Sequence, residues 1–367
     1  MKRKLIVFRL VAIIFALLFI SASLEIFFRI RAMKNEGEPF WGFYSSPVKY
    51  DEKVGYALVP GARNSDFVIS KWGYRSNGNG DDSLKTGGVF CIGGSTTFGT
   101  GARDTGTVSS FLERMIGLRV INGGVPGMHA YNWVRRIDGE MEKLKPRVVV
   151  VWLGWNIFGS AITHGEKWSS ETLMPGGVLM MPPKRGAVGN FFAEIIAYSR
   201  LLRELRSFQL NMMNGTNKKT ESDPMIENGK KILKDTSIIA SAFETQLDSV
   251  VQNIRSHGAI PILMTSPFIA PTIVDETEIL RSTDYYNKEE KYWFLYREWW
   301  GVMNNIIRRE AQRTGVPLLD MGEICTHWDN DARKKYFYDM IHMLPEGNSV
   351  IAEDLVKKIE VAIKEAE

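Results

Sequence analysis

Val89-Phe90-Cys91-Ile92-Gly93-Gly94-Ser95-Thr96-Thr97-Phe98-Gly99 is the stretch on which the reading of this chain turns. Its first four residues form a short apolar run, the pattern of a buried strand. A serine among small residues follows, at the carboxyl end of that strand, where open α/β sheets place ligands and reactive groups. A serine hydroxyl is a poor nucleophile alone. Ser95 therefore matters chemically only if the chain also supplies a base and donors for an oxyanion.

Outward from this stretch the chain alternates. Strand patterns occur at 89–92, 119–122, 148–153, 259–265 and 316–319, and helical patterns at about 106–117, 131–144, 235–257, 291–314 and 347–365. Such alternation predicts βαβ units, hence a parallel sheet with helices on both faces. Val148-Val149-Val150-Val151-Trp152-Leu153 reads as a central strand because it is apolar on both sides. About 100 residues separate it from the next strand, more than one crossover needs. Residues 160–230 are therefore read as an insertion, with a polar stretch from Asn211 to Lys231 expected to be mobile.

The ends of the predicted strands carry residue types that acyl-transfer chemistry uses. Asn122-Gly123-Gly124-Val125-Pro126-Gly127 follows the second strand, Gly154-Trp155-Asn156 the third, and Asp339-Met340-Ile341-His342 lies between the fifth strand and the last helix. An imidazole with an ordinary pKa of ~6.5 suits His342 to take a proton from Ser95. The base needs a carboxylate to fix its tautomer, and Asp339 shares a face with His342 if the two sit on one helical turn. The N–H of Ser95, a backbone N–H at Gly124 and the side-chain amide of Asn156 are candidate oxyanion donors.

In these four blocks the chain resembles the SGNH (GDSL-type) hydrolases, which carry their serine, glycine, asparagine and histidine in separate blocks in this order. The resemblance spans about 89–360 and implies a flavodoxin-like three-layer α/β/α domain around a mostly parallel five-stranded sheet. It implies esterase, lipase, thioesterase or carbohydrate O-deacylase activity, with Ser95, Asp339 and His342 catalytic and Gly124 and Asn156 in the oxyanion hole. Two positions depart from the family pattern. Gly94 stands where many members have the aspartate of Gly-Asp-Ser, and Ile157 stands where an aspartate usually follows the asparagine. Val54-Gly55-Tyr56 and Trp72-Gly73-Tyr74-Arg75 resemble the N-terminal extension of membrane-anchored bacterial members.

The first 30 residues differ in kind from the rest. Met1-Lys2-Arg3-Lys4 is basic, and the 24 residues from Leu5 to Phe28 are apolar apart from Arg9 and Glu25. As a helix at ~1.5 Å per residue they reach ~36 Å, enough to cross a ~30 Å hydrocarbon core. The basic cluster favours a cytoplasmic N-terminus, with the body of the chain on the periplasmic or extracellular side. A cleaved signal peptide is the competing reading, since Ser21-Ala22-Ser23 has the small-x-small pattern of a cleavage site. The expected division is an anchor at 1–32, a connector and small extended extension at 33–87, and a hydrolase domain at 88–367.

Composition narrows the partners. A net charge of +4 with both signs interspersed argues against a nucleic-acid surface. Cys91 and Cys325 provide no disulfide framework, and five histidines without a His-x-x-x-His pair lend little support to a metal. No cofactor is expected. Trp155 and His129 are candidates to line the substrate pocket, although His129 reads first as a polar loop residue. His164 is a weaker candidate to approach the site from the insertion. The dense aromatics Tyr285-Tyr286 and Tyr292 to Trp300 read as a sugar-stacking platform, an interfacial belt, or a helix face packed on the core. The expected substrate is an O-acyl, most simply O-acetyl, ester of cell-envelope carbohydrate. Alternatives are an O-acyltransferase that passes the acyl group to a sugar hydroxyl, and a catalytically silent tethered binding protein with the same fold.

Overall fold

In the computed structural model, the residues described are 2–36, 40, 48–63, 66–80, 86–173, 188, 191–192, 195–196, 199–205, 208–209, 223–272 and 290–367. Among them are the strands β1 (Val48–Asp51), β2 (Gly55–Leu58), β3 (Val89–Gly93), β4 (Val120–Asn122), β5 (Val148–Trp152), β6 (Ile260–Met264) and β7 (Leu318–Leu319). The chain forms two compact units, one comprising 1–46, 62–65 and 184–221 and the other 47–61, 66–183 and 222–367.

In the larger unit five strands form a parallel sheet in the order β4-β3-β5-β6-β7. β5 is a β-branched run buried along its whole length, as a strand covered on both faces must be. The helices Val108–Ile116 and Pro345–Ala366 pack together, and Ala130–Leu144, Ser237–Ser256 and Glu290–Thr314 form a second group. This is the three-layer α/β/α arrangement expected from the alternation. Chain order reverses between β3 and β5, so the crevice outside their carboxyl ends is the topological switch point. β3 runs into Ser95 there, and β5 runs into Asn156. β1 and β2 pair antiparallel in this same unit, so the extension expected at 33–87 is in large part integrated with the hydrolase domain.

Local sequence explains most of the helix limits. Thr107 caps Val108–Ile116 by accepting the N–H of Ser110, and Gly117 ends it in the left-handed region. Pro345 opens the last helix at a position where its missing N–H costs nothing. The polar stretch expected to be mobile is partly helical: Asp223 accepts the N–H of Met225 and Pro224 starts a helix to Lys234. Asn211 to Ser222 lie outside the described residues, as do Tyr285 and Tyr286.

The smaller unit contains the helix Lys2–Glu36, of which Ile6–Lys34 is long and apolar enough to cross a membrane. Glu25 is the one acidic residue between Ile6 and Lys34, and it has partners. Its carboxylate accepts from Ser199 Oγ at 2.9 Å, from the N–H groups of Arg200 and Leu201 at 2.9 and 2.8 Å, and from Arg29 Nε at 2.6 Å. Residues 200–205 are helical, so Glu25 caps the first turn of that segment across a long sequence separation.

Candidate active site

Ser95 begins a single helical turn, Ser95–Phe98, directly after β3, and is 8% exposed. Its Oγ lies 2.7 Å from His342 Nε2, and His342 Nδ1 lies 2.6 Å from Asp339 Oδ2. A carboxylate only accepts hydrogen bonds, so Nδ1 carries the proton and Nε2 presents its lone pair to the serine hydroxyl. The Asp339 carboxyl would be raised by burial. The His342 charge and ring N–H, with the backbone N–H groups of His342 and Ile341, outweigh that and hold it below the usual carboxylate range.

Asp339 and His342 meet in a way the helical-turn expectation did not anticipate. Residues 338–341 are a bend, flanked by an antiparallel bridge between Phe337 and Met343. Asp339 Oδ1 accepts the N–H of Ile341 at 2.9 Å and of His342 at 2.7 Å, which leaves Oδ2 for the imidazole. The aspartate thus folds its own loop with one oxygen and orients the base with the other, the behaviour of a short acidic side chain in a turn.

Asn156 lies on the helix Trp155–His164, and its Nδ2 donates to the Met128 carbonyl at 3.0 Å. That bond uses one of two amide hydrogens. A Cβ on Gly94 would sit 2.2 Å from this nitrogen, so the amide occupies the space where an aspartate side chain would begin. At the first departure from the family pattern, a side chain at position 94 would have to displace this amide. Ile157 supplies the second: it is 1% exposed, in a place where an unpaired carboxylate would be costly.

Gly124, a candidate oxyanion donor, lies in the loop that follows β4. Its N–H donates to Asn122 Oδ1 at 3.0 Å. Its position has a different demand, because a Cβ there would meet the Phe98 backbone nitrogen at 2.1 Å. Glycine lets β4's exit loop lie against the Ser95–Phe98 turn. Asn122 ties the two together, since its Nδ2 donates to the Phe98 carbonyl at 3.3 Å. The N–H of Ser95 has no intrahelical acceptor in a first turn, and the Met128 bond leaves Asn156 one amide hydrogen.

The candidate pocket residues lie inside. Trp155 is 4% exposed, its ring against Phe268 and Tyr296 at 5.7 and 6.1 Å between centroids. His129 is 2% exposed at the start of Ala130–Leu144, and burial pushes its imidazole down to about 4. Neither offers a solvent-facing wall. His164 Nδ1 bonds the Ser160 carbonyl of its own helix at 2.8 Å. In the aromatic run, Trp293 and Trp299 are fully buried, and Trp299 stacks on Phe158 at 5.5 Å. That run is a core face. Sequence reasoning missed the site's most heavily bonded neighbour, Arg75, although it singled out Trp72-Gly73-Tyr74-Arg75; nothing local named the partner.

The model of the GDSL-like lipase/acylhydrolase family matches residues 91–350. The chain belongs to this family. It is a serine hydrolase of ester bonds, and the matched span runs from β3 through the His342 loop into the last helix. No curated protein sequence matches it. Among solved structures, an α/β hydrolase from the metagenome of Lake Arreo, Spain, is 18% identical, covering 75% of this chain and 96% of its own with a TM-score of 0.40. An acetyl xylan esterase is 15% identical, with coverages of 73% and 98% and a TM-score of 0.40. A variant of an acetyl-xylooligosaccharide esterase of Geobacillus stearothermophilus is 16% identical, with coverages of 75% and 95% and the same TM-score, 0.40. These likenesses are distant.

Proposed function

We propose that this family member is a membrane-anchored esterase that removes O-acyl groups, O-acetyl first among them, from carbohydrate of the cell envelope. The observation that carries the reading is the continuous relay from Asp339 through His342 to Ser95, with separations of 2.6 and 2.7 Å. In it His342 takes the Ser95 proton as the hydroxyl attacks the ester carbonyl. The N–H of Ser95 and the amide of Asn156 receive the developing oxyanion. His342 returns the proton to the leaving alcohol. Water, deprotonated by the same imidazole, then resolves the acyl-serine. Asp339 stays ionised and stabilises the imidazolium.

The N-terminal helix supports a site of action at the membrane. The basic residues at its start favour a cytoplasmic tip, in support of a hydrolase domain outside the cytoplasmic membrane. Retention of the helix, rather than cleavage after Ser21-Ala22-Ser23, is supported by the Glu25 carboxylate, which is built into the fold through Ser199, Arg200 and Leu201. Val188, Phe191, Phe192 and Ile195 follow an i, i+3, i+4, i+7 spacing and are 40% exposed or more, as in an element that lies along a lipid surface. An esterase held there meets the acyl esters of envelope polysaccharide.

The test is release of acetate from O-acetylated envelope polysaccharide by the full chain in detergent, beside a simple acetyl ester with and without deacetylated polysaccharide. Acetate release from the polysaccharide is expected, with hydrolysis of the simple ester unchanged by the acceptor. Transfer to polysaccharide outpacing hydrolysis would overturn the reading in favour of an acyltransferase.

A further inference from the structure

Arg75 is 3% exposed, and each of its five guanidinium N–H groups has an acceptor. Nε donates to Asp104 Oδ1 at 3.1 Å. Nη1 donates to the carbonyls of Phe98 and Gly99 at 2.6 and 2.8 Å, and Nη2 to those of Asp66 and Ala102 at 2.9 and 2.6 Å. Its backbone N–H donates to the Asn122 carbonyl at 3.2 Å, and its guanidinium lies 4.5 Å from the centre of the Phe98 ring. Four of the five side-chain acceptors belong to residues 98–104, the segment that follows Ser95 without interruption.

A single turn such as Ser95–Phe98 is too short to hold itself, because helix nucleation is unfavourable and its last carbonyls have no helical partner. The fork of Arg75 bonds two of those carbonyls and the loop beyond them. Burying a charge only to fill space is a poor use of it, since an apolar side chain of similar volume often serves stability as well. What the planar fork supplies is direction. The reacting atoms need that direction, because displacement of a nucleophile by ~1 Å can cost ~10²-fold in rate.

We infer that Arg75 is a positioning residue for the nucleophile: by gripping the carboxyl end of the Ser95–Phe98 turn it holds Ser95 Oγ within reach of His342 Nε2. The inference rests on the reading of Ser95 as the nucleophile. It assigns the N-terminal extension a part in the chemical step, in addition to packing.

Arg75→Lys and Arg75→Ala in the full chain test it, with Ser95→Ala alongside. The readouts are kcat and KM for p-nitrophenyl acetate, the rate of fluorophosphonate labelling, and the folded fraction from thermal unfolding. Arg75→Lys keeps the charge but replaces the five-donor fork with three donors at one point. For Arg75→Lys the expectation is a 10- to 100-fold fall in kcat and in labelling rate, KM within twofold of wild type and the protein folded. Methylguanidinium should restore part of the Arg75→Ala loss. Wild-type kcat in folded Arg75→Lys overturns the inference, and so does a loss in either variant that merely tracks the folded fraction. If Ser95→Ala labels as fast as wild type, the nucleophile reading fails, and the inference fails with it.

Discussion

The two loops that bring the relay together are held by side chains of different origin, one within the loop and the others distant in sequence. The base loop is held mainly from within: Asp339 Oδ1 bonds the N–H groups two and three residues ahead and its other oxygen bonds the imidazole, with the N–H of Ile269 donating to the Met340 carbonyl from outside at 3.2 Å. The side chains that hold the nucleophile turn come from outside it: Arg75 and Asn122 bond its far end. A self-folded loop can be read locally and is sensitive to the chemistry of one side chain. An externally held turn depends on residues with no local signature and is sensitive to their geometry.

The contrast can be broken most sharply at Asp339. In Asp339→Asn the amide oxygen can still accept the two backbone N–H groups, so the loop survives, but the amide nitrogen confronts His342 Nδ1 and imposes the wrong tautomer. The expected loss is about 10⁴-fold in kcat, the scale seen for such a change in a serine-protease triad. Steady-state kinetics on p-nitrophenyl acetate check it, with an unchanged fold by circular dichroism.

Removal of the proposed oxyanion donor Asn156 is expected to cost less. Asn156→Ala is expected to lower kcat by about 10²–10³-fold with KM little changed. Gly94→Asp, which installs the family's commoner residue, is expected to cost about 10–100-fold, because a Cβ there displaces the Asn156 amide. Full activity in Gly94→Asp would show that this amide is not held where the oxyanion forms.

The smallest effect concerns stability. The folded-state pKa of Asp339 is depressed, so its contribution to stability is complete above the ordinary carboxylate value of ~3.9 and is lost as pH falls through the lower folded value. His129 acts at a different pH. Its folded value of about 4 lies below the unfolded ~6.5, so the unfolded chain takes up a proton first and stability declines from pH ~6.5 downward. Thermal unfolding from pH 8 to 3 should therefore show Asp339→Asn losing its deficit against wild type only below about pH 4. A His129→Gln variant should lack the decline that begins near pH 6.5.

Legibility in the sequence follows the same division. The strands were readable because buried runs such as Val148–Trp152 are apolar throughout, and their observed limits differ from expectation by a few residues at most. The order Ser95, Asn156, Asp339, His342 was readable because each lies at a strand end or in a short loop with its own motif. What was not readable depends on distant partners. The engagement of Gly124 with Asn122 needs the turn at Phe98 to press the glycine loop into place. The burial of Trp155 needs Phe268 and Tyr296. Arg75 needs four carbonyls and Asp104. The short helices Met321–Ile324 and Asn330–Tyr336 went unread because they have too few residues to show a helical period.

Whether Ser95 is the activated nucleophile is tested most directly by treating the full chain with a fluorophosphonate and mapping the adduct by peptide mass spectrometry. One adduct is expected, on Ser95, absent from Ser95→Ala and slowed at least a hundredfold in His342→Ala. Folded wild-type protein that forms no adduct, or Ser95→Ala that labels as fast as wild type, would contradict the assignment.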